Sequence, residues 1–242
     1  MRPTLSLTAE RDTAPALNPR ELGALLQLAS PGLPVGAFSY SSGLEAAVEH
    51  GLVTDAASAL DWIRAGLCDV LGNGEVPLLA RLRVAWRNGS YPCVLHWNGW
   101  HLASRETVEL RAETEQMGWS LVQVIEHLTW GSPENRARLR AMRPVGFVCA
   151  FAFAAAALNL GPEAATTAFC FSWLENQVMA AIKAVPLGQA AGQQILYRLT
   201  KEIPGVIARA STLADDEVSS FAPQLTVLSS RHASQYSRIF RS

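Results

Sequence analysis

The sequence is poor in charged residues and carries none of the short motifs that mark a nucleotide, zinc or hydrolase site. Charged side chains make up 17% of the 242 residues, below the roughly one quarter that is usual, while hydrophobic residues make up 49%. The patterns G-x-x-x-x-G-K-[ST] and H-E-x-x-H are both absent, and Ser39 and Ser41 lack the G-x-S-x-G elbow. We therefore expect a protein that is not an enzyme and that holds no cofactor.

The low charge also limits the partners. The net charge is −1 and the 20 basic residues are dispersed, whereas binding to a nucleic-acid backbone needs a concentrated basic face, so we expect no nucleic-acid partner. A chain this apolar either covers part of its surface with protein partners or is an ordinary alanine-rich helical protein, and composition allows both. The first alternative favours a two-fold homodimer.

Cysteine and histidine spacing predicts no metal site. The cysteines form no C-x-x-C pair, so we interpret them as buried free thiols in a reducing compartment: Cys68, Cys93, Cys149 and Cys170. No two of the five histidines stand four residues apart, so none shares a helix face with another in the spacing that zinc sites use. Each histidine is typical of a surface position or of a hydrogen-bonded position in a helix.

Two segments bear on where the protein resides. Residues 1–17 lack the apolar core of a signal peptide, and we predict a disordered leader there. The longest apolar stretch, residues 145–158, is shorter than the roughly 20 residues of a membrane span, so a buried core helix is the better interpretation. We expect a cytoplasmic protein with no membrane partner.

The spacing of apolar residues is helical from Asn18 onward. Asn18, Pro19 and Glu21 form a strong helix start, since an Asn cap, a proline at the first position and a Glu three residues after the cap satisfy free backbone groups. No segment alternates with period two. The sequence predicts a single-domain all-α bundle of about ten helices over residues 18–228, with helices at 42–50, 55–71, 75–86, 92–103, 105–130, 188–201 and 204–213 and a long one from 162 to before Pro186.

Three stretches carry an unusual density of constrained or interface-type residues. Residues 28–45 combine prolines and glycines with apolar side chains, and residues 173–193 end a long helix at Pro186. Residues 229–242 mix arginines with aromatic residues, as interface anchors do. Plainer alternatives are a rigid helix connection, a proline-stopped core helix and a frayed tail. The candidate partner-binding residues are Pro34, Gly36, Phe38, Ser39, Tyr40, Gly43, Glu45, Lys183, Pro186, Gly188, Gln189, Arg231, His232, Gln235, Tyr236, Arg238, Phe240 and Arg241.

These stretches resemble the UreF family. The first is similar to the family pattern L-x-x-P-x-L-P-x-G-x-[FY]-S-x-S-x-G-L-E, and the second to a W-x-E-N/S segment followed by a basic residue and P-[LF]-G-Q. The last, S-R-H-A-S-Q-Y-S-R-I-F-R-S, resembles the segment that closes the family's chains. The likeness runs from about residue 21 to residue 242.

The resemblance implies an all-α, dimerising accessory protein that bridges UreD, called UreH in some species, and the GTPase UreG while apo-urease receives nickel. A first alternative is catalytic activation of UreG. Lys183 stands where arginine is common in the family, and lysine lacks the planar fork of an arginine finger, whereas Arg198, Arg231 and Arg238 keep it. A second alternative, an unrelated all-α metal-dependent or lyase-type enzyme, lacks a clustered set of acids or histidines.

For the C-terminal segment we predict a free tail that becomes helical on UreD. In that form Tyr236, Ile239 and Phe240 would share one helix face. The competing view is a tail that packs on its own domain.

Overall fold

The computed structural model describes residues 17–232 and 239–241, the side chains of residues 231 and 232 excepted. These residues form helices and connecting turns, with no strand among them. The α-helices are α1 Pro19–Ala29, α2 Leu44–Glu49, α3 Ala56–Ala65, α4 Val76–Arg87, α5 Tyr91–Ala103, α6 Val108–His127, α7 Pro133–Ala141, α8 Phe147–Ala157, α9 Pro162–Ala184, α10 Gln189–Thr200, α11 Ile203–Ala210 and α12 Pro223–His232. A 3-10 helix spans Ala37–Ser39, and a π-helical segment, Gly66–Glu75, joins α3 to α4. The predicted all-α bundle is confirmed.

The first helix begins as its sequence predicts. The Asn18 side chain accepts a hydrogen bond from the backbone nitrogen of Glu21 at 3.0 Å, and the Glu21 carboxylate accepts one from the backbone nitrogen of Asn18 at 3.1 Å. This reciprocal pair satisfies two backbone donors that a helix start leaves free. The cap explains why α1 begins at Pro19 even though its buried face is short.

The prediction of two separate helices across residues 55–86 is wrong, because α3, the π-helical segment and α4 form one continuous rod. Contacts from elsewhere in the chain satisfy backbone groups of the π-helical turns. Arg209 donates to the carbonyl of Cys68, and the backbone nitrogen of Ser219 donates to the carbonyl of Asn73 at 3.0 Å. Tertiary hydrogen bonds therefore replace those that a helix end would find in water.

The core is built around α8, whose residues 148–155 are all buried. It packs mainly on α4 and α6. Gly118 of α6 makes the crossing possible, since a Cβ there would lie 2.2 Å from the carbonyl oxygen of Val145. No helix in the described part of the chain combines the length and the apolar character needed to cross a bilayer.

The four cysteines are free, and the prediction that they are buried holds for Cys93, Cys149 and Cys170 but is wrong for Cys68. Burial raises the pKa of the Cys149 and Cys170 thiols to about 12, so both stay protonated at neutral pH. Cys68 is only partly buried, in the π-helical segment.

Candidate partner-binding site

The first candidate stretch is a loop that faces two ways. Leu33, Val35 and Tyr40 are buried in the core, whereas Pro34 is exposed and Phe38 leaves 67% of its surface in solvent. The buried residues match the plainer prediction of a rigid connection between helices. The exposed Phe38 ring is an apolar group that faces solvent, and its role in partner binding stays a prediction.

Two glycines give this loop its shape. Gly36 has φ 79° and Gly43 has φ 82°, in the left-handed region that other residues rarely adopt. Gly43 also lies close to α12, because a Cβ there would lie 2.5 Å from Cδ1 of Leu225 and would force that side chain to move. Gly43 therefore lets α2 start directly against α12.

Glu45 in the first turn of α2 holds the C-terminal segment. Its carboxylate is 8% exposed and accepts hydrogen bonds from the backbone nitrogens of Ile239 at 2.6 Å and Phe240 at 3.1 Å. The next residue, Arg241, donates its backbone nitrogen to the carbonyl of Ser39 at 2.7 Å. Three hydrogen bonds, two of them to a charged acceptor, thus attach the end of the chain to the first stretch.

The second stretch joins the same cluster through α9. Nζ of Lys183 lies 5.7 Å from the centre of the Phe240 ring, within cation–π range, and Phe240 is 5% exposed. Asn176 donates its side-chain nitrogen to the carbonyl of Tyr40 at 3.1 Å. Burial raises the pKa of Tyr40, against a side-chain hydrogen bond with Arg241 that favours the ionised form. The three stretches singled out in the sequence therefore meet in one place.

The other candidate residues lie away from this cluster or outside the residues that the structure describes. Pro186, Gly188 and Gln189 are exposed at the turn between α9 and α10. Arg231 and His232 belong to the last turn of α12, which the sequence did not predict. Gln235, Tyr236 and Arg238 lie outside the described residues.

The prediction of a free tail is wrong for residues 239–241, which pack on their own domain as the competing view has it. Residues 239 and 240 form a bend, with Ile239 62% exposed and Phe240 buried, so these two side chains do not share a helix face here. The physical reason is Glu45, a buried carboxylate that needs donors and finds them in the backbone of the tail. Ile239 and Phe38 are left as the exposed apolar residues of the site.

A cavity of about 580 Å³, which the sequence did not predict, lies next to the loop. Its lining includes Leu33, Val35 and Phe38 of the loop and Lys183 of α9. Further walls come from α3, the π-helical segment, α6, α8, other residues of α9 and residues 221–225. The only signal in sequence is the W-x-E-N segment at residues 173–176, three of whose residues line the cavity.

A buried ion pair also escaped the sequence analysis. Nη1 of Arg105 lies 2.8 Å from Oε1 of Glu75, while Nε2 of His101 lies 3.7 Å from that oxygen, too far for a hydrogen bond. Burial opposes ionisation of Glu75, but the neighbouring Arg105 charge and His101 outweigh it and lower the pKa of Glu75 to about 2. Burial, with the nearby Arg105 charge, lowers the pKa of His101, so its ring is neutral at pH 7 and Arg105 is the main partner of Glu75.

The charged groups of the site that the structure describes make contacts within the chain. Its charged side chains either hold the chain's own backbone, as Glu45 does, or lie beside an aromatic ring, as Lys183 does. Within residues 17–232 and 239–241, no group of three or more His, Cys, Asp or Glu side chains could hold a metal ion. The site has exposed residues, Phe38 and Ile239, around a buried residue, Phe240, whose backbone is hydrogen-bonded to Glu45.

Comparison with known families agrees with the fold and with the second of the three stretches. The family model named UreF matches residues 53–200, which is more than half of the chain and covers α3 to α10. The loop at 30–43 and the C-terminal segment lie outside the matched range. The chain belongs to the UreF family, whose members are accessory proteins of urease maturation.

Proposed function

We propose that this chain is the scaffold that holds UreD (UreH) and the GTPase UreG together for nickel insertion into apo-urease. It acts in the cytoplasm as a homodimer, without catalysing a reaction and without nucleic-acid or membrane partners. Family membership supports a role in urease maturation. The observation that carries the finer proposal is the docking of Ile239 and Phe240 on Glu45, since it joins the three stretches into one surface.

The chemistry of this surface suits protein recognition. Phe38 and Ile239 expose apolar side chains, and Lys183 and Arg241 are exposed near them. Aromatic and aliphatic anchors beside arginine are typical of interface hot spots, whereas isolated surface charges contribute little. A scaffold needs such a surface because its contribution is proximity and orientation of its partners.

The test is co-purification of the tagged chain with UreD and UreG from one expression strain. In Glu45→Gln, the amide can accept one backbone hydrogen bond but presents its own N–H to the other donor, so the tail loses its anchor. We expect capture of UreD and UreG to fall at least about tenfold, the equivalent of one charge-assisted hydrogen bond. The matched control is Glu134→Gln, which removes an exposed ion pair on α7 and should capture normally.

Full capture of both partners by Glu45→Gln, with the tail still released, would count against this surface. A strain that lacks the chain should make folded apo-urease that is low in nickel and nearly inactive. Full urease activation in that strain at ordinary nickel concentrations would overturn the functional assignment.

The second candidate, catalytic activation of UreG, needs a cation that reaches the bound nucleotide. Lys183 lies against Phe240 of its own chain, which favours the scaffold over an activator acting through that position. Arg198 on α10 is exposed and has the guanidinium that a finger requires. Single-turnover GTP hydrolysis by UreG, with and without this chain and its Arg198→Ala variant, separates the two functions. A rate increase that Arg198→Ala abolishes would favour the activator.

A further inference from the structure

The cavity beside the loop has an aromatic lining that the proposed scaffold function does not explain. Its volume of about 580 Å³ lies within the range of small-molecule sites. Six aromatic rings line it: Phe38, Trp62, Phe147, Phe169, Trp173 and Phe221. Phe221 is 73% exposed at the rim, so the cavity opens beside it. An aromatic lining of this density attracts apolar groups and, through the negative faces of the rings, cations.

The charges on the lining are unbalanced. Four acidic residues and two basic residues contribute to it, and both basic residues are engaged. Arg105 pairs with Glu75 at 2.8 Å, and Lys183 lies at the Phe240 ring. Lys183 keeps its positive charge beside that ring, but three further lining carboxylates, those of Asp69, Glu113 and Glu175, outnumber it and leave the cavity with an excess of negative charge.

Glu175 stands out among these acids, because Asp69 is exposed to solvent and Glu113 accepts a hydrogen bond from the Ser42 hydroxyl. Glu175 is partly buried on α9, and in the described part of the chain it makes neither an ion pair nor a hydrogen bond. Burial raises the pKa of its carboxyl group, which is the response of an acid that lacks a nearby cation. Gln177, two residues further along α9, is 1% exposed and also contributes to the cavity lining, and its amide nitrogen has no hydrogen-bond partner among the described residues.

We propose that this cavity binds an organic cation with an apolar stem, such as an alkylguanidinium or alkylammonium group, through the carboxylate of Glu175. The stem packs on the aromatic wall that includes Trp62 and Trp173, and the Gln177 amide offers a further polar contact. The cation supplies the positive counter-charge that the Glu175 carboxylate lacks among the described residues. Two sources carry this chemistry: a free small molecule, or the side chain of a basic residue on another protein.

The test is a calorimetric titration of the isolated full chain with n-butylguanidinium and, separately, with N-butylurea, its neutral counterpart of nearly the same shape. We expect saturable binding of the guanidinium and about tenfold weaker binding of the urea, as loss of one charge-assisted contact predicts. Glu175→Gln should lose that preference. Glu163→Gln, on the same helix but outside the cavity lining, should keep it.

A second variant keeps the test independent of any folding defect in Glu175→Gln. Phe221 is largely exposed, so Phe221→Leu should fold normally and weaken guanidinium binding about two- to fivefold by removing one ring from the rim. Equal binding of guanidinium and urea, or no saturable binding, would overturn the proposal. Glu175-dependent binding of nickel chloride that excludes n-butylguanidinium would overturn it too, in favour of a metal site.

The source of the cation is settled by repeating the titration with UreD bound. Loss of the n-butylguanidinium site in the complex would support the proposal with a basic side chain of the partner as the natural occupant. Retention of the site would support it with a free small cation. The proposal does not rest on the scaffold function, because the titration uses the isolated chain and measures no urease activation.

Discussion

The core around α8 and the site around Glu45 both contain buried residues, but different interactions hold those residues in place. Helix α8 carries no charged residue and buries residues 148–155 on every side. At the surface site a single carboxylate, Glu45, holds the backbone of a segment 194 and 195 residues away. The core depends on apolar packing, whereas the surface site combines the burial of Phe240 with hydrogen bonds to the Glu45 carboxylate. The core is therefore sensitive mainly to cavities, and the surface site is sensitive also to the loss of its acceptor.

The largest effect is expected in the core. Phe151 is fully buried in α8, within ring-contact distance of Phe147 and Phe169. Phe151→Ala should lower the free energy of unfolding by about 3–5 kcal/mol, because it leaves a cavity that close-packed neighbours cannot fill. Urea denaturation followed by circular dichroism measures this. The control is Leu95→Ala on α5, where Leu95 is 47% exposed. A loss of under 1 kcal/mol for Phe151→Ala would mean that the core is not tightly packed.

The two neighbouring residues of the tail offer the sharpest comparison at the surface site. Phe240 is buried and Ile239 is 62% exposed. Phe240→Ala should lower the free energy of unfolding by about 1.5–3 kcal/mol, and Ile239→Ala by less than 0.5 kcal/mol. Thermal melts of the two variants are the measurement. Partner capture should also fall in Ile239→Ala, if that side chain contacts UreD or UreG. If both variants melt at the temperature of the unmodified chain, the docked tail adds nothing to stability.

The response to acid distinguishes a third region, the buried pair of Glu75 and Arg105. The pKa of Glu75 is about 2 in the folded chain and lies near its usual 4.5 in the unfolded chain, so the unfolded state takes up the proton first as the pH falls. The stabilisation is complete above about pH 5 and is lost between pH 4.5 and 2. It should amount to roughly 2 kcal/mol between pH 7 and pH 3.

Urea denaturation at pH 7 and pH 3 measures this effect. In Glu75→Gln the difference in the free energy of unfolding between pH 7 and pH 3 should be smaller by this amount. The variant should also be less stable at pH 7, because it leaves Arg105 partly buried without its partner. An unchanged pH dependence in Glu75→Gln would assign the acid sensitivity to other carboxylates.

The smallest effect on stability is expected on the outer face of α1. Leu22 and Leu26 stand one turn apart and are 45% and 63% exposed. If this face pairs two copies, light scattering should give about twice the chain mass of 26.1 kDa, and the double variant Leu22→Ser/Leu26→Ser should give the monomer mass. The free energy of unfolding of the monomer should change by about 0.5 kcal/mol or less. Leu52→Ser, at another exposed leucine, is the control. A double variant that remains dimeric would place the interface elsewhere.

Local signals in the sequence determined the helices. The capping pair Asn18 and Glu21 is three residues apart. In α6, Met117 and Leu121 are four residues apart and both are buried. Each of these signals spans only one or two helical turns. Such signals fix where a helix begins and which face it buries. They also carried the family resemblance, since the three stretches were recognisable as sequence before their contacts were known.

Only the tertiary structure decided the rest, because it depends on groups that meet across the whole chain. Hydrogen bonds donated by Arg209 and Ser219 hold the π-helical segment, and α12 lies against Gly43, whose φ of 82° disfavours other residues. The tail docks because Glu45 is buried at the point to which the chain returns. The cavity exists because elements far apart in sequence leave a space between them. A contact between distant residues forms only when the fold brings them together, so no local pattern records it.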